Sequence, residues 1–172
     1  MARKITKEGF IEIVNAARER IPDLALTTDI MVGFPGEHEE DFQESLKILD
    51  TLKFADVHVF PFSSRPETAA ARMSEALPRS TISARAAKVL AEAARLKDSF
   101  HQRFLGRVMP VLWENSERDG DEMLWSGLTP NYIRVLNRMP PSIDLLNQIT
   151  PTRLRSACPG ALVGECVSPQ FF

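Results

Sequence analysis

Two cysteines, three histidines, two short turns and one aromatic-rich stretch are where this sequence could do chemistry. Cys158 and Cys166 are separated by seven residues and form neither a CxxC pair nor a disulfide framework. Metal centres built on thiolates need three or four ligands, so this pair alone reads as idle or buried thiols. His38, His58 and His101 show no ligand spacing with any other candidate, and no Ser/His/Asp arrangement is visible. His38 is placed as an exposed or weakly capping residue. No catalytic residue is assigned.

Gly33-Phe34-Pro35-Gly36-Glu37 closes an apolar run and precedes a helical pattern. In α/β folds, ligands gather at the carboxyl ends of strands, where loops and helix N-termini offer N–H groups. The same residues also suit a plain strand-to-helix turn that needs glycine for its backbone angles. Phe60, Phe62, Ser63, Ser64 and Arg65 end the next apolar run. Backbone and aromatic groups there could pack an adenine, and Arg65 could pair with a carboxylate or phosphate. They are equally readable as core aromatics and a surface arginine. Trp125, Asn131, Tyr132 and Arg134 combine aromatics for stacking with arginine for phosphate, the chemistry of single-stranded RNA contacts. Trp125 and Tyr132 could instead fill a core.

The elements that must position these residues follow from periodicity. Thr6 is a candidate N-cap for a first helix bearing Phe10, Ile13, Val14, Ala17 and Ile21, ended by Pro22 and Asp23. Residues 24–34 (LALTTDIMVGF) predict a strand buried on both faces, as in a parallel sheet. A second helix is expected from about His38 to Leu52, with acids in its first turn. A second strand covers Val57 to Phe62. A third, longer helix spans Ser80 to Phe104, with Gly106 as its stop. The order of helix, strand, helix, strand is an α/β signature with parallel strands.

After Gly106 the composition changes. Residues 107–172 hold most of the turn prolines, no lysine, and the short runs VMPVLWE, MLWSGL, NYIRVL and LVGECV. They predict a small all-β barrel or sandwich. The expected division is therefore 1–106 and 107–172.

A net charge of −2 argues against a dominant non-specific attraction to nucleic acid. The second segment itself carries six arginines against seven acids, a weak electrostatic footprint for RNA. No apolar run reaches transmembrane length, and the N-terminus lacks the apolar core of a secretory signal. A cytoplasmic location without membrane contact is the default expectation.

Four stretches resemble one known family, in its order and spacing. Residues 27–37 (TTDIMVGFPGE) resemble the TTDIIVGFPGE signature of the radical S-adenosylmethionine methylthiotransferases. Residues 58–63 (HVFPFS), with Arg65, Pro66, Thr68 and Ala70, are similar to the HVFPYSPRPGTPAA segment that follows it. Phe104-Leu105-Gly106-Arg107-Val108 resembles the link into the family's TRAM domain, a small β-barrel. Residues 124–129 (LWSGLT) and 131–135 (NYIRV) are similar to its GxTxNYxxV signature.

This resemblance implies an α/β fold: the distal part of a radical-SAM barrel, of partial TIM type, followed by a TRAM barrel. It places Asp29, Gly33, Phe34, Pro35, Gly36, Glu37, Phe60, Phe62, Ser63 and Arg65 beside S-adenosylmethionine. It gives Trp125, Asn131, Tyr132 and Arg134 to a transfer RNA substrate. The full-length parent would use S-adenosylmethionine and two 4Fe–4S clusters to methylthiolate a modified adenosine. The wording HVFP leans towards the branch acting on threonylcarbamoyladenosine.

Neither cluster-binding cysteine set of the family is present. The resemblance therefore implies a C-terminal fragment, or a start-site error, that lacks the N-terminal part of the same enzyme. Such a piece is expected to be inactive alone, to hold no cluster, and to self-associate through open strand edges. The family's usual proline, glycine and proline are replaced by Ser64, Glu67 and Ala69, which loosens the expected loop contacts. The competing readings are a standalone TRAM-containing RNA-binding module, a fragment of the sister branch that modifies a ribosomal protein, and an unrelated α/β enzyme.

Overall fold

A computed structural model describes residues 6–167. The chain divides at Lys97/Asp98 into two compact units, each with its own core. The first holds α1 (Lys7–Arg20), β1 (Thr27–Val32), α2 (Glu39–Leu52), β2 (Asp56–Pro61) and most of α3 (Arg79–Gln102). The second holds β3 (Val108–Asp119), β4 (Glu122–Leu128), β5 (Arg134–Met139), β6 (Ile149–Cys158) and β7 (Ala161–Cys166).

Helix ends in the first unit follow from local chemistry. The Thr6 side chain accepts a hydrogen bond from the Gly9 N–H, satisfying one of the free donors at the start of α1. Arg18 and Arg20 sit in its last turn, where cations suit the helix dipole. Arg18 also donates to the Leu52 and Lys53 carbonyls at the end of α2. Glu39, Glu40 and Asp41 occupy the first turn of α2, and the Asp41 carboxylate accepts from the His38 N–H at 3.0 Å.

β1 and β2 pair in parallel, with Thr27 opposite Asp56 and Val32 opposite Pro61. Val32 and Val57 on one face join Val14, Phe42, Leu49, Leu52, Phe54, Ala86, Val89, Ala93 and Leu96 in a single apolar cluster. Each large aliphatic or aromatic side chain so buried contributes about 1.5–3 kcal/mol. The expectation of a strand buried on both faces is corrected here. All three helices contribute to one cluster, and the opposite face of the pair stays open. On that face Met31 is 42% exposed and Phe60 50% exposed.

The second unit is a closed barrel in the order β3-β4-β5-β7-β6. Closure leaves no free strand edge among these five, which removes the template for edge-to-edge pairing. Its interior takes Val111, Trp113, Trp125, Val135, Leu154 and Leu162, each at most 4% exposed. β6 was not expected from the sequence. Pro151 interrupts its pattern, and proline ordinarily argues against a strand interior. Here Pro151 lies opposite Pro110 of β3, so two residues lacking an N–H face one another.

No helix of the described residues is long and apolar enough to cross a membrane.

Candidate functional site

The two turns singled out in the first unit meet at one end of the parallel pair. Because β1 and β2 run in the same direction and in register, Gly33–Glu37 and Phe62–Arg65 leave the sheet on the same side. The Phe62 N–H donates to the Val32 carbonyl at 2.8 Å, carrying the pairing one residue further. The Phe34 and Phe62 rings then meet edge to face, centroids 5.4 Å apart.

The first turn is held by its own residues and by the Glu75 carbonyl. Gly33 has φ +79°, the left-handed region, and a Cβ built there would lie 2.5 Å from Cγ1 of Ile82. Only glycine meets both conditions without strain. The Gly33 N–H donates to Oε2 of Glu37 at 2.7 Å. The Gly36 N–H donates to the Glu75 carbonyl, and the Glu37 N–H to the Phe34 carbonyl. Pro35 is buried beneath the turn.

Arg85 of α3 completes the clamp. Its Nη1 reaches Oε2 of Glu37 at 2.5 Å and the Glu37 carbonyl at 3.0 Å, while Nη2 reaches Glu39 at 3.1 Å. Its guanidinium also lies 5.1 Å from the centre of the Phe42 ring. The side chains of Arg85 and Glu37 are 7% and 11% exposed. Sequence reasoning missed Arg85. The available signal was a charged residue next to the apolar stripe of Ile82, Ala86, Val89 and Ala93.

The open sheet face carries the remaining candidates. Asp29 is exposed and in register with His58, and Met31 is in register with Phe60. Ser63 and Arg65 are exposed in the following loop. There the Arg65 carbonyl accepts from the Thr68 hydroxyl at 2.8 Å. Glu67 in this loop has φ +67°.

These residues suit the adenosine half of a nucleoside cofactor. Phe60 and Met31 offer an apolar platform, Asp29 a carboxylate for hydroxyl groups, and Arg65 a cation. The N–H groups of Gly33 and Glu37 are spent within the turn and that of Gly36 on the Glu75 carbonyl, so the turn shapes the rim and leaves few donors for a ligand. An iron–sulfur cluster does not fit. Among the described residues no three of His, Cys, Asp and Glu are grouped to hold a metal. Cys166 is buried in the barrel, where its sulfur takes the Asn137 side-chain amide at 3.3 Å and lies 3.3 Å from the Thr150 hydroxyl.

In the barrel the four RNA-contact candidates separate. Trp125 is 4% exposed within the barrel, so its ring is unavailable for stacking from solvent, and that expectation is corrected. Asn131 is 9% exposed, and its Oδ1 accepts from the Thr129 hydroxyl at 2.6 Å. The same hydroxyl accepts from the Ile133 N–H at 3.0 Å, and the Thr129 carbonyl from the Tyr132 N–H at 2.9 Å. This network holds Tyr132 at φ +61° and leaves it 81% exposed. Arg134 is exposed and donates to the Ser126 hydroxyl at 2.7 Å.

No family model matches the chain. Among curated proteins, the tRNA-2-methylthio-N(6)-dimethylallyladenosine synthase of Acetivibrio thermocellus is 36% identical over 97% of this chain and 34% of its own length. A protein of the same name from Clavibacter michiganensis is 42% identical over 70% of this chain and 23% of its own length. The threonylcarbamoyladenosine tRNA methylthiotransferase MtaB of Bacillus subtilis is 31% identical over 91% of this chain and 35% of its own length. The chain spans about a third of the length of the curated relatives it matches most fully. Over nearly all of its residues, and at this level of identity, the chain belongs to the tRNA methylthiotransferase family.

Proposed function

We infer that this chain is the distal, C-terminal part of a radical S-adenosylmethionine methylthiotransferase. β1 and β2 are two staves of its α/β barrel and β3–β7 its TRAM module, with the link near Gly106. The whole enzyme adds a methylthio group to an N6-modified adenosine of transfer RNA, in the cytoplasm. The single observation that carries this reading is the in-register parallel pair. It brings the TTDIMVGFPGE and HVFPFS segments, matched separately in the sequence, to one open face and one end. Relatives named as tRNA methylthiotransferases support the same reading.

When bound, S-adenosylmethionine supplies the radical that opens the adenosine to sulfur insertion. This chain's residues bind and orient. Phe60 and Met31 pack the adenine, Asp29 takes the ribose hydroxyls, and Arg65 takes the methionine carboxylate. Phe34, Phe62 and Ser63 form the rim, shaped by Gly33, Pro35, Gly36 and Glu37. The described residues provide no set of ligands for an iron–sulfur cluster. The chain by itself is inactive, and the residues its relatives have in addition complete the site.

Two modified adenosines compete as substrate. The HVFP wording favours N6-threonylcarbamoyladenosine, and the Bacillus subtilis relative carries that name. The relatives of higher identity carry the dimethylallyladenosine name. Mass spectrometry of tRNA nucleosides, from cells with and without the gene whose full-length product contains this chain, decides. Loss of one 2-methylthio adenosine derivative on deletion identifies the substrate. An unchanged nucleoside profile overturns the proposal.

A further inference from the structure

Glu37 directly precedes the acidic start of α2, where Glu39, Glu40 and Asp41 occupy the first turn. A further carboxylate beside these swings towards solvent unless a cation holds it. Instead the Glu37 side chain turns inward, and its Oε2 accepts from the Gly33 N–H at 2.7 Å. The cation is Arg85, one turn along α3 from Ile82. Ile82 closes on Gly33 and Arg85 on Glu37, so one helix backs both ends of the turn. Nη1 of Arg85 donates to the carboxylate and the carbonyl of Glu37, and Nη2 donates to Glu39. The Phe42 ring beneath the guanidinium fixes its plane.

Stability alone does not account for this arrangement. Removing two charges from water offsets much of their attraction, and a well-packed apolar pair often does as well. The Arg85 Nε is moreover buried without a hydrogen-bond partner, a further cost. What the pair supplies is direction. Gly33 has φ +79°, and a glycine left to itself changes that angle readily. The bond from its N–H to Glu37 holds it. Phe34 follows directly, and its ring meets Phe62 edge to face at the rim of the open sheet face. A continuous chain of contacts therefore runs from Arg85 through Glu37 and Gly33 to Phe34.

We propose that Arg85 is a positioning residue for S-adenosylmethionine, acting through Glu37 on the Gly33–Phe34 peptide. The inference rests on reading this turn as the rim of the cofactor site. With its side chain 7% exposed behind the turn, Arg85 acts on the cofactor only through that rim. The role needs arginine. A lysine carries the charge but lacks the planar fork, and so does not hold the Glu37 carboxylate, the Glu37 carbonyl and Glu39 at once.

The test uses the full-length holoenzyme that contains this chain. Its readouts are the dissociation constants for S-adenosylmethionine and for tRNA, hydrogen exchange at the Gly33 amide, and the unfolding midpoint. Arg85→Lys weakens S-adenosylmethionine binding by about 10-fold, the size of one lost charge-assisted contact. It leaves tRNA affinity unchanged and speeds exchange at Gly33. The double variant Arg85→Met/Glu37→Leu regains the wild-type midpoint through an apolar pair, yet keeps the weakened S-adenosylmethionine binding. A purely structural pair does not separate stability from affinity in this way. Arg95→Ala, which breaks the exposed ion pair with Asp50 on the same helix, changes neither affinity. Unchanged S-adenosylmethionine affinity in Arg85→Lys, with or without faster Gly33 exchange, overturns the proposal. Wild-type affinity in the double variant also overturns it, by making the pair structural only. A wild-type enzyme that binds no S-adenosylmethionine overturns the rim assignment and this inference together. The nucleoside profile of the preceding section tests the parent activity independently.

Discussion

Arg85 and Glu37, 48 residues apart in the sequence, form an ion pair of 2.5 Å at the foot of the Gly33–Glu37 turn. The same Glu37 oxygen takes the Gly33 N–H, so one carboxylate ties helix α3 to both ends of the turn. The turn's shape thus depends on a residue outside the signature it belongs to.

Arg85→Ala leaves Glu37 largely buried without its cation. Breaking a buried pair by removing one partner costs about 3–5 kcal/mol. Chemical denaturation of the variant should show that loss. A change under 1 kcal/mol would mean that water replaces the guanidinium freely.

Gly33→Ala meets two obstacles, the positive φ and the Ile82 side chain. Left-handed backbone costs an alanine about 1–2 kcal/mol, and the clash adds to it. Combining it with Ile82→Ala relieves the clash and not the φ. A double-mutant cycle on unfolding midpoints should therefore return a favourable coupling between the two sites. Strict additivity would place the whole cost in the backbone.

Glu67 stands where the family resemblance has glycine, and it adopts φ +67° in an exposed loop. Glu67→Gly removes strain of about 1–2 kcal/mol and adds back about 0.5–1 kcal/mol of chain entropy. The expected outcome is a small net stabilisation in thermal unfolding. A destabilised variant would show that the Glu67 side chain makes a compensating contact.

Asp56 links the start of β2 to Lys97 of α3 at 2.7 Å. Burial raises its carboxyl pKa, but the hydrogen bond and charge of Lys97 outweigh burial, and the folded value lies below the ordinary 3.8. A depressed folded value means the unfolded chain binds the proton more readily. The contribution is present above pH 3.8 and lost as pH falls through the lower folded value. The stability difference between wild type and Asp56→Asn should shrink over that window. A difference that does not change with pH there would remove Asp56 from the linkage.

Thr129→Val keeps the volume and deletes the hydroxyl that serves both the Ile133 N–H and Asn131. Leaving the buried Ile133 N–H without this acceptor costs about 1–3 kcal/mol. Hydrogen exchange at the Ile133 amide should accelerate by a corresponding factor, while amides in the β6–β7 ladder keep their protection. Unchanged exchange at Ile133 would show that the loop has another anchor.

The sequence by itself determined the α/β order, the three helices with the Thr6 cap, the acidic start of α2, and the change to short strands after Gly106. These are local properties, written in residue spacing and in the chemistry of chain ends. It also identified the two segments that close β1 and β2, because strand ends carry recognisable turn residues. Only the tertiary structure decided which face of β1 stays open, because period-two exposure cannot be read from a run as apolar as LALTTDIMV. It decided that Trp125 lies inside and Tyr132 outside, since that depends on how five strands close into a barrel. It recruited Arg85 to Glu37 and revealed β6 despite Pro151, because both rest on partners far along the chain, and a buried charge or an interrupted strand is stable only once those partners are in place.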